Sequence, residues 1–472
     1  MNTSDSSAPS APSWSTSSGG LIIGFADQVD HDDPRTVFRA TGIPYANAPR
    51  GRLPQILHPG VAPIQATTPG PTCPQGPISP ISRLLSPKAQ PQEHSEDCLR
   101  LSITTPPDLA DEEKLPVIVW IHGGGNNSGG GDLPRFAPHR MVADHRVIVV
   151  GVTFRLGFFG FLGTHDSELA DDVSVTPGNS HSNLAIYDVR TALQWVAEHI
   201  ADFGGDPEKI TALGQSAGAD LILAVLAAAG HEDSDIPFQR AILHSPPLSF
   251  IEGLFPERKA QRAEIFEHMR QCQKDNTDLV AAEIEASKAT LEKYPDAGMP
   301  LGPEYGRAPL PADENVIDAL TASLSKIDVV FGHTPREAGL FIWPHPKAQK
   351  ARKIPLVGKS LVEKAIHKAT EKTYLSAKFA EISSSARRAY QFEFDWGAAD
   401  NPYRGVHTSE LPLLFGKQES WEDSVLLEDT RWELVIEDGR ALSQLWAQFA
   451  RDGELASGAT KFHYGQLDLK QR

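Results

Sequence analysis

Apolar residues along this chain fall into short blocks of two kinds, and their alternation predicts the architecture. Leu115 to Ile121 (LPVIVWI) and Val147 to Thr153 (VIVVGVT) are near-continuous apolar runs rich in β-branched residues, the pattern of strands buried on both faces. Between Asn183 and Ile200 the apolar residues Ile186, Val189, Leu193, Val196 and Ile200 recur at spacings of 3, 4, 3 and 4, which places them on one face of a helix. Asn183 is positioned to cap its start and Gly204-Gly205 to end it. Ile210 to Leu213 predicts a short strand running into Gly214-Gln215-Ser216-Ala217-Gly218, and Ala219 to Ala229 (ADLILAVLAAA) a buried helix. Arg240 to His244, Ile327 to Phe331 and Tyr390 to Phe394 predict further strands. Strand, helix, strand order implies a mostly parallel sheet with helices on both faces. Gln261 to Lys293 reads as a charged helical insertion that covers the sheet. Pro344 to Pro355 (PHPKAQKARKIP) reads as a basic, proline-bounded loop whose charges face solvent. No repeat recurs at a fixed period, which argues against a solenoid or propeller.

Composition narrows the class. Of 472 residues, 40% are hydrophobic and 22% charged, which suits a globular protein and excludes a mostly disordered one. The net charge of −17 repels phosphate backbones, so no nucleic-acid partner is expected. No apolar run approaches the ~20 residues that span a bilayer. Met1 to Gly20 (MNTSDSSAPSAPSWSTSSGG) has neither a basic start nor an apolar core, so it does not read as a secretory signal. Residues 1–19 are expected to be a disordered Ser-rich tail, residues 20–472 a single catalytic domain, and the protein cytoplasmic. Cys73, Cys98 and Cys272 are too few for a disulfide scaffold. No Cys/His cluster has zinc spacing and no phosphate-cradling loop is present, so neither metal nor cofactor is expected.

Two glycine-rich motifs carry the candidate chemistry. Glycines flanking Ser216 permit a sharp strand-to-helix turn that lifts the serine Oγ clear of a sheet, with a helix N-terminus behind it. His122-Gly123-Gly124-Gly125 directly follows a strand, and its backbone can aim N–H groups at a developing oxyanion. A serine needs a base, and the base an orienting carboxylate. His407, in Arg404-Gly405-Val406-His407-Thr408-Ser409-Glu410-Leu411, follows the strand ending near Phe394; its rival among the seventeen histidines is His463. The acid candidate is Glu337, just past the strand ending at Phe331. Asp220, in the first turn after the serine, reads as a surface charge at a helix start, with reach to the serine loop as the alternative.

With these motifs the chain resembles the type-B carboxylesterase family, the carboxylesterase and cholinesterase group of α/β-hydrolases. Similar stretches run nearly end to end: Gly42-Ile43-Pro44-Tyr45-Ala46, Ser95-Glu96-Asp97-Cys98-Leu99, His122 to Gly125, Phe154-Arg155-Leu156-Gly157, Phe203-Gly204-Gly205-Asp206-Pro207 and the serine turn. The resemblance implies an α/β-hydrolase fold with a helical covering layer. It also implies a Ser216–His407–Glu337 triad and an oxyanion hole from the N–H groups of Gly124, Gly125 and Ala217. It matches Cys73 and Cys98 to the family's N-terminal disulfide pair, as a bridge or as two thiols. The expected partner is a small-molecule ester, hydrolysed through an acyl-enzyme. Amide or carbamate hydrolysis on the same triad, and a non-catalytic binding protein on the same fold, are the alternatives. Two departures stand out. Gln215 replaces the glutamate that usually precedes the serine, which disfavours choline-type cations, and Ala338 stands where glycine is common. The chain is also shorter than many relatives between Phe250 and Ile327, where covering helices lie.

Overall fold

The structure is a computed structural model that describes residues 11–110, 112–162, 182–248, 257–274, 278–294, 299–374 and 377–472. Its centre is an eleven-stranded sheet. In chain order the strands are β1 (Phe25–Asp30), β2 (Asp33–Pro44), β3 (Arg100–Thr105), β4 (Leu115–Ile121), β5 (Ile148–Val152), β6 (Gly205–Gln215), β7 (Arg240–His244), β8 (Asp328–His333), β9 (Arg388–Trp396), β10 (Gly458–Phe462) and β11 (Gly465–Gln471). Their spatial order is β10-β11-β9-β8-β7-β6-β4-β5-β3-β2-β1. The six from β5 to β9 pair in parallel, and the flanking strands pair antiparallel at both edges.

The parallel strands are buried on both faces, and their side chains divide by the period of two that a pleated strand imposes. Val117, Val119 and Ile121 of β4 join one apolar cluster with the helices α1 (Leu184–His199) and α2 (Ala217–Glu232). Ile118 and Trp120 face the other side and join a second cluster. That second layer is built around α7 (Trp432–Asp452), whose Val435, Leu442, Trp446 and Phe449 are buried. The remaining helices used below are α3 (Arg258–Lys274), α4 (Leu279–Leu291), α5 (Pro346–Arg352) and α6 (Gly358–Tyr374). Among the described residues no helix is long and apolar enough to cross a membrane.

A buried ion pair ties the β5 exit to α1. The Arg155 guanidinium donates to both carboxylate oxygens of Asp188, from Nε at 2.8 Å and Nη2 at 2.6 Å, and Nη1 donates to the Arg52 carbonyl at 2.8 Å. Removing one member of such a pair leaves an uncompensated buried charge, at a cost of about 3–5 kcal/mol.

The elements differ from the expected pattern in four instructive places. Asn183 does not cap α1 with its side chain; its Nδ2 instead donates to the carbonyls of Glu304 and Arg307, both at 3.0 Å, so a distant loop takes it. The expected loop Pro344–Pro355 contains α5: Pro346 suits a first helical position, and the His345 ring caps it by accepting from the Lys347 N–H at 3.2 Å. The Gln261–Lys293 insertion is two helices, α3 and α4, whose intervening residues 275–277 lie outside the described set. Part of the expected tail carries a strand, Ser13–Ser15, paired antiparallel to Leu21–Ile23, while residues 1–10 lie outside the described set.

Candidate active site

Four parallel strands end at one edge of the sheet, and each delivers a predicted site residue there. Ser216 follows β6 directly, the His122–Gly125 loop follows β4, Glu337 lies four residues beyond β8, and His407 lies in the loop after β9. Residues hundreds of positions apart therefore meet because parallel strands share a carboxyl edge.

Ser216 has φ 55° and ψ −127°, a region that non-glycine residues occupy only under strain of about 1–3 kcal/mol. Two glycines make the turn possible. A Cβ on Gly218 would lie 2.0 Å from the Ile121 carbonyl oxygen, and one on Gly123 would lie 2.7 Å from the Gln215 carbonyl oxygen. The first lets α2 start against β4; the second lets the glycine loop press onto the serine turn. The Ser216 N–H donates to the His244 carbonyl at 2.8 Å, which anchors the turn to β7. Among the described residues the N–H groups of Gly124, Gly125 and Ala217 have no carbonyl acceptor, so they remain available to a ligand.

His407 is buried, and its two ring nitrogens face opposite partners. Nδ1 contacts the Glu337 carboxylate through Oε2. Nε2 lies 3.2 Å from the Gln215 amide nitrogen, on the residue immediately before Ser216. An amide N–H can only donate, so this arrangement fits a neutral imidazole with its proton on Nδ1 and its lone pair toward the serine turn. Glu337 is fully buried, and its Oε1 accepts the Thr334 N–H at 2.7 Å. Burial pushes this carboxyl up, but His407 and hydrogen bonds from Ser245 and Thr334 outweigh it and leave it below the usual carboxylate range. The rings of Phe341 and Tyr374 flank the imidazole at 5.6 and 5.4 Å.

The rival base lies elsewhere, and one predicted reading is corrected. His463, the rival base, sits in the turn between β10 and β11 with Nδ1 2.8 Å from Asp438, away from the serine turn. Asp220 is not a surface charge: it is fully buried, and its charge acts on Arg258 at the start of α3 and on Tyr305. Cys73 and Cys98 are buried free thiols, with the Leu156 N–H donating to the Cys73 sulfur at 3.2 Å. Among the described residues the metal-capable group is His58, Glu198 and His199, at the end of α1, and it includes none of the predicted site residues.

In the sequence Glu410 served only as a marker for His407, and His244 was not singled out. His244 ends β7 with Nδ1 3.6 Å from a Glu410 carboxylate oxygen, and both side chains are almost fully enclosed. Burial lowers His244 to about 3, so its ring is neutral, and raises Glu410 to about 7. Neither Glu410 oxygen has a hydrogen-bond partner among the described residues. The strand-end position of His244 was the available signal; its partner was not visible, because 166 residues separate the two.

The family model described as "Carboxylesterase family" matches residues 10–402. The chain is 33% identical over 442 residues to a probable N-octanoylanthranilate hydrolase of Rhodococcus erythropolis, covering 91% of each protein. It is 29% identical to the para-nitrobenzyl esterase of Bacillus subtilis (strain 168), covering 90% of this chain and 88% of that protein. The solved structure of a thermophilic PNB esterase superposes with a TM-score of 0.73 at 26% identity, covering 96% of this chain and 94% of that one.

Proposed function

The chain belongs to the carboxylesterase family and is a carboxylic ester hydrolase; from that premise we propose that Ser216 is its nucleophile, His407 its general base and Glu337 the carboxylate that orients the base. The observation that carries this assignment is the bridging position of the His407 ring, with one nitrogen on Glu337 and the other at the residue preceding Ser216. In the reaction, the amide of Gln215 yields Nε2 to the Ser216 hydroxyl. His407 takes the hydroxyl proton as Oγ attacks the ester carbonyl. The negative charge that forms on the carbonyl oxygen is met by the N–H groups of Gly124, Gly125 and Ala217, each contributing about 3 kcal/mol to the transition state. Glu337 stabilises the imidazolium. The imidazolium then protonates the leaving alkoxide, and a water activated by the same ring releases the acid from Ser216.

The direct test is labelling by a fluorophosphonate probe together with hydrolysis of p-nitrophenyl esters of graded chain length. Wild type labels and turns over, and Ser216→Ala does neither. Equal labelling of the two proteins would remove Ser216 from the nucleophile's role, and no labelling of wild type would support the non-catalytic alternative. A second reading, amide hydrolysis on the same triad, is favoured by one observation: the 33%-identical relative is named for an N-octanoyl substrate. Matched esters and amides of one acyl group separate the two, since amines leave less readily than alcohols.

A further inference from the structure

The segment expected to be a solvated loop, Pro344–Pro355, and the helix α6 that follows it have a composition opposite to the rest of the molecule. Residues 344–374 contain eight Lys and Arg and two Asp and Glu, in a chain whose net charge is −17. At its apex, between α5 and α6, run Ile354-Pro355-Leu356-Val357. Leu356 is 105% exposed, Val357 50% and Ile354 47%, and Leu361 on the first turns of α6 is 50% exposed. Aliphatic side chains gain from burial, so displaying four together forgoes that gain unless another surface covers them. Leu356 also has a left-handed backbone, φ 68°, which presents its side chain at the tip. Arg352, Lys353 and Lys359 bracket the apolar tip within a few residues.

The segment is also tied to the active site at both ends. It is preceded by Phe341, 46% exposed, whose ring lies 5.6 Å from that of His407, and it finishes at Tyr374, whose ring lies 5.4 Å from the same imidazole. The basic, apolar-tipped projection therefore rises from the two aromatic walls of the catalytic histidine.

We propose that the Ile354–Val357 tip and its surrounding lysines dock the enzyme on an anionic lipid surface, with the tip inserted among acyl chains and the basic side chains on the headgroups. Charge decides in favour of that occupant. A second copy docked tip to tip would bring the same basic charge against this one, whereas an acidic headgroup layer complements the local excess of six positive charges, and salt confines the repulsion from the rest of the acidic chain to about 10 Å. Docking in this way would bring the site around His407 close to esters dissolved in the lipid. That last consequence rests on the ester-hydrolase reading of the site; the docking itself does not.

The test is flotation of the full chain with vesicles of phosphatidylcholine alone or with 30% phosphatidylglycerol, alongside hydrolysis of water-soluble p-nitrophenyl acetate. Wild type should float with the anionic vesicles at least tenfold more than with the neutral ones, and 0.5 M NaCl should reduce the bound fraction several-fold. Leu356→Asp/Val357→Asp should abolish flotation while leaving p-nitrophenyl acetate hydrolysis unchanged, which also shows that the variant is folded. Lys353→Glu/Lys359→Glu should weaken binding at low salt with the apolar tip intact. Equal flotation on neutral and anionic vesicles, no flotation of wild type, or undiminished flotation of the tip variant would overturn the proposal. So would a wild-type dimer in solution that the tip variant converts to a monomer without any vesicle binding. Because flotation needs no turnover, an inactive wild type that still floats would count against the triad assignment and not against the docking surface.

Discussion

Glu410→Gln tests the energetics under the active site. Glu410 is enclosed beside His244, Glu337 and His407, and burial raises its folded value to about 7 from the ordinary 4.5. The group is therefore held protonated in the folded protein across a range in which the unfolded chain has already released its proton. Its contribution to stability is fully present below pH 4.5 and is lost as the pH rises through about 7. The gap between 4.5 and about 7, at ~1.4 kcal/mol per pH unit, makes the loss about 3 kcal/mol. Glutamine has nearly the same shape and cannot ionise. Any penalty from its own unpaired amide is the same at every pH. The measured quantity is the difference in thermal midpoint between variant and wild type, scanned at one rate from pH 4.5 to pH 8.5, so that the titrations common to both proteins cancel. At ~2.1 cal/mol/K per residue, a chain of this length has an unfolding entropy of roughly 1 kcal/mol/K, so the variant should gain about 3 °C on wild type across that range. A flat difference curve, or one falling with pH, would refute the reasoning.

Three further outcomes follow from the site. Glu337→Gln keeps the hydrogen-bonded shape but cannot stabilise the imidazolium or select its tautomer, so kcat should fall about 10³- to 10⁴-fold with little change in KM; a loss under tenfold would remove Glu337 from the role proposed. Gln215→Glu places a carboxylate where an amide nitrogen now lies 3.2 Å from the His407 ring, so the acid limb of the pH–rate profile should move upward by about one unit, and an unmoved limb would show that position 215 does not govern the base. Gly218→Ala sets a methyl 2.0 Å from the backbone oxygen of Ile121, so it should cut both the folded yield and specific activity; wild-type behaviour would mean that α2 is free to move from β4.

The sequence by itself settled the features that are local. Strand β4 was bounded to the residue from its apolar run, and β7 likewise, because a strand buried on both faces leaves an unbroken apolar signature. The serine turn was legible because the glycines that permit it adjoin the residue they expose. The covering helices were recognised as helical but not as two, and α7 was not identified even though Val435, Leu442, Trp446 and Phe449 follow helical spacing. The edge strands β10 and β11 were missed as well, since their residues are partly exposed and carry no continuous apolar run.

What only the tertiary structure decided is contact between side chains that the chain separates. Asn183 looked like a helix cap and became an anchor for Glu304 and Arg307, because a side-chain amide serves whichever backbone groups the fold brings to it. Asp220 looked like a surface acid and is fully buried, near enough to Arg258 and Tyr305 for its charge to act on both. The tilted contacts of Phe341 and Tyr374 with His407, and the burial of Glu410 against His244, arise where parallel strands bring distant loops to one edge. Spacing along a chain reports which groups share a turn or a face. Desolvation and long-range pairing depend on the whole packed molecule, so the residues capable of this chemistry could be named from the sequence while their protonation and partners could not.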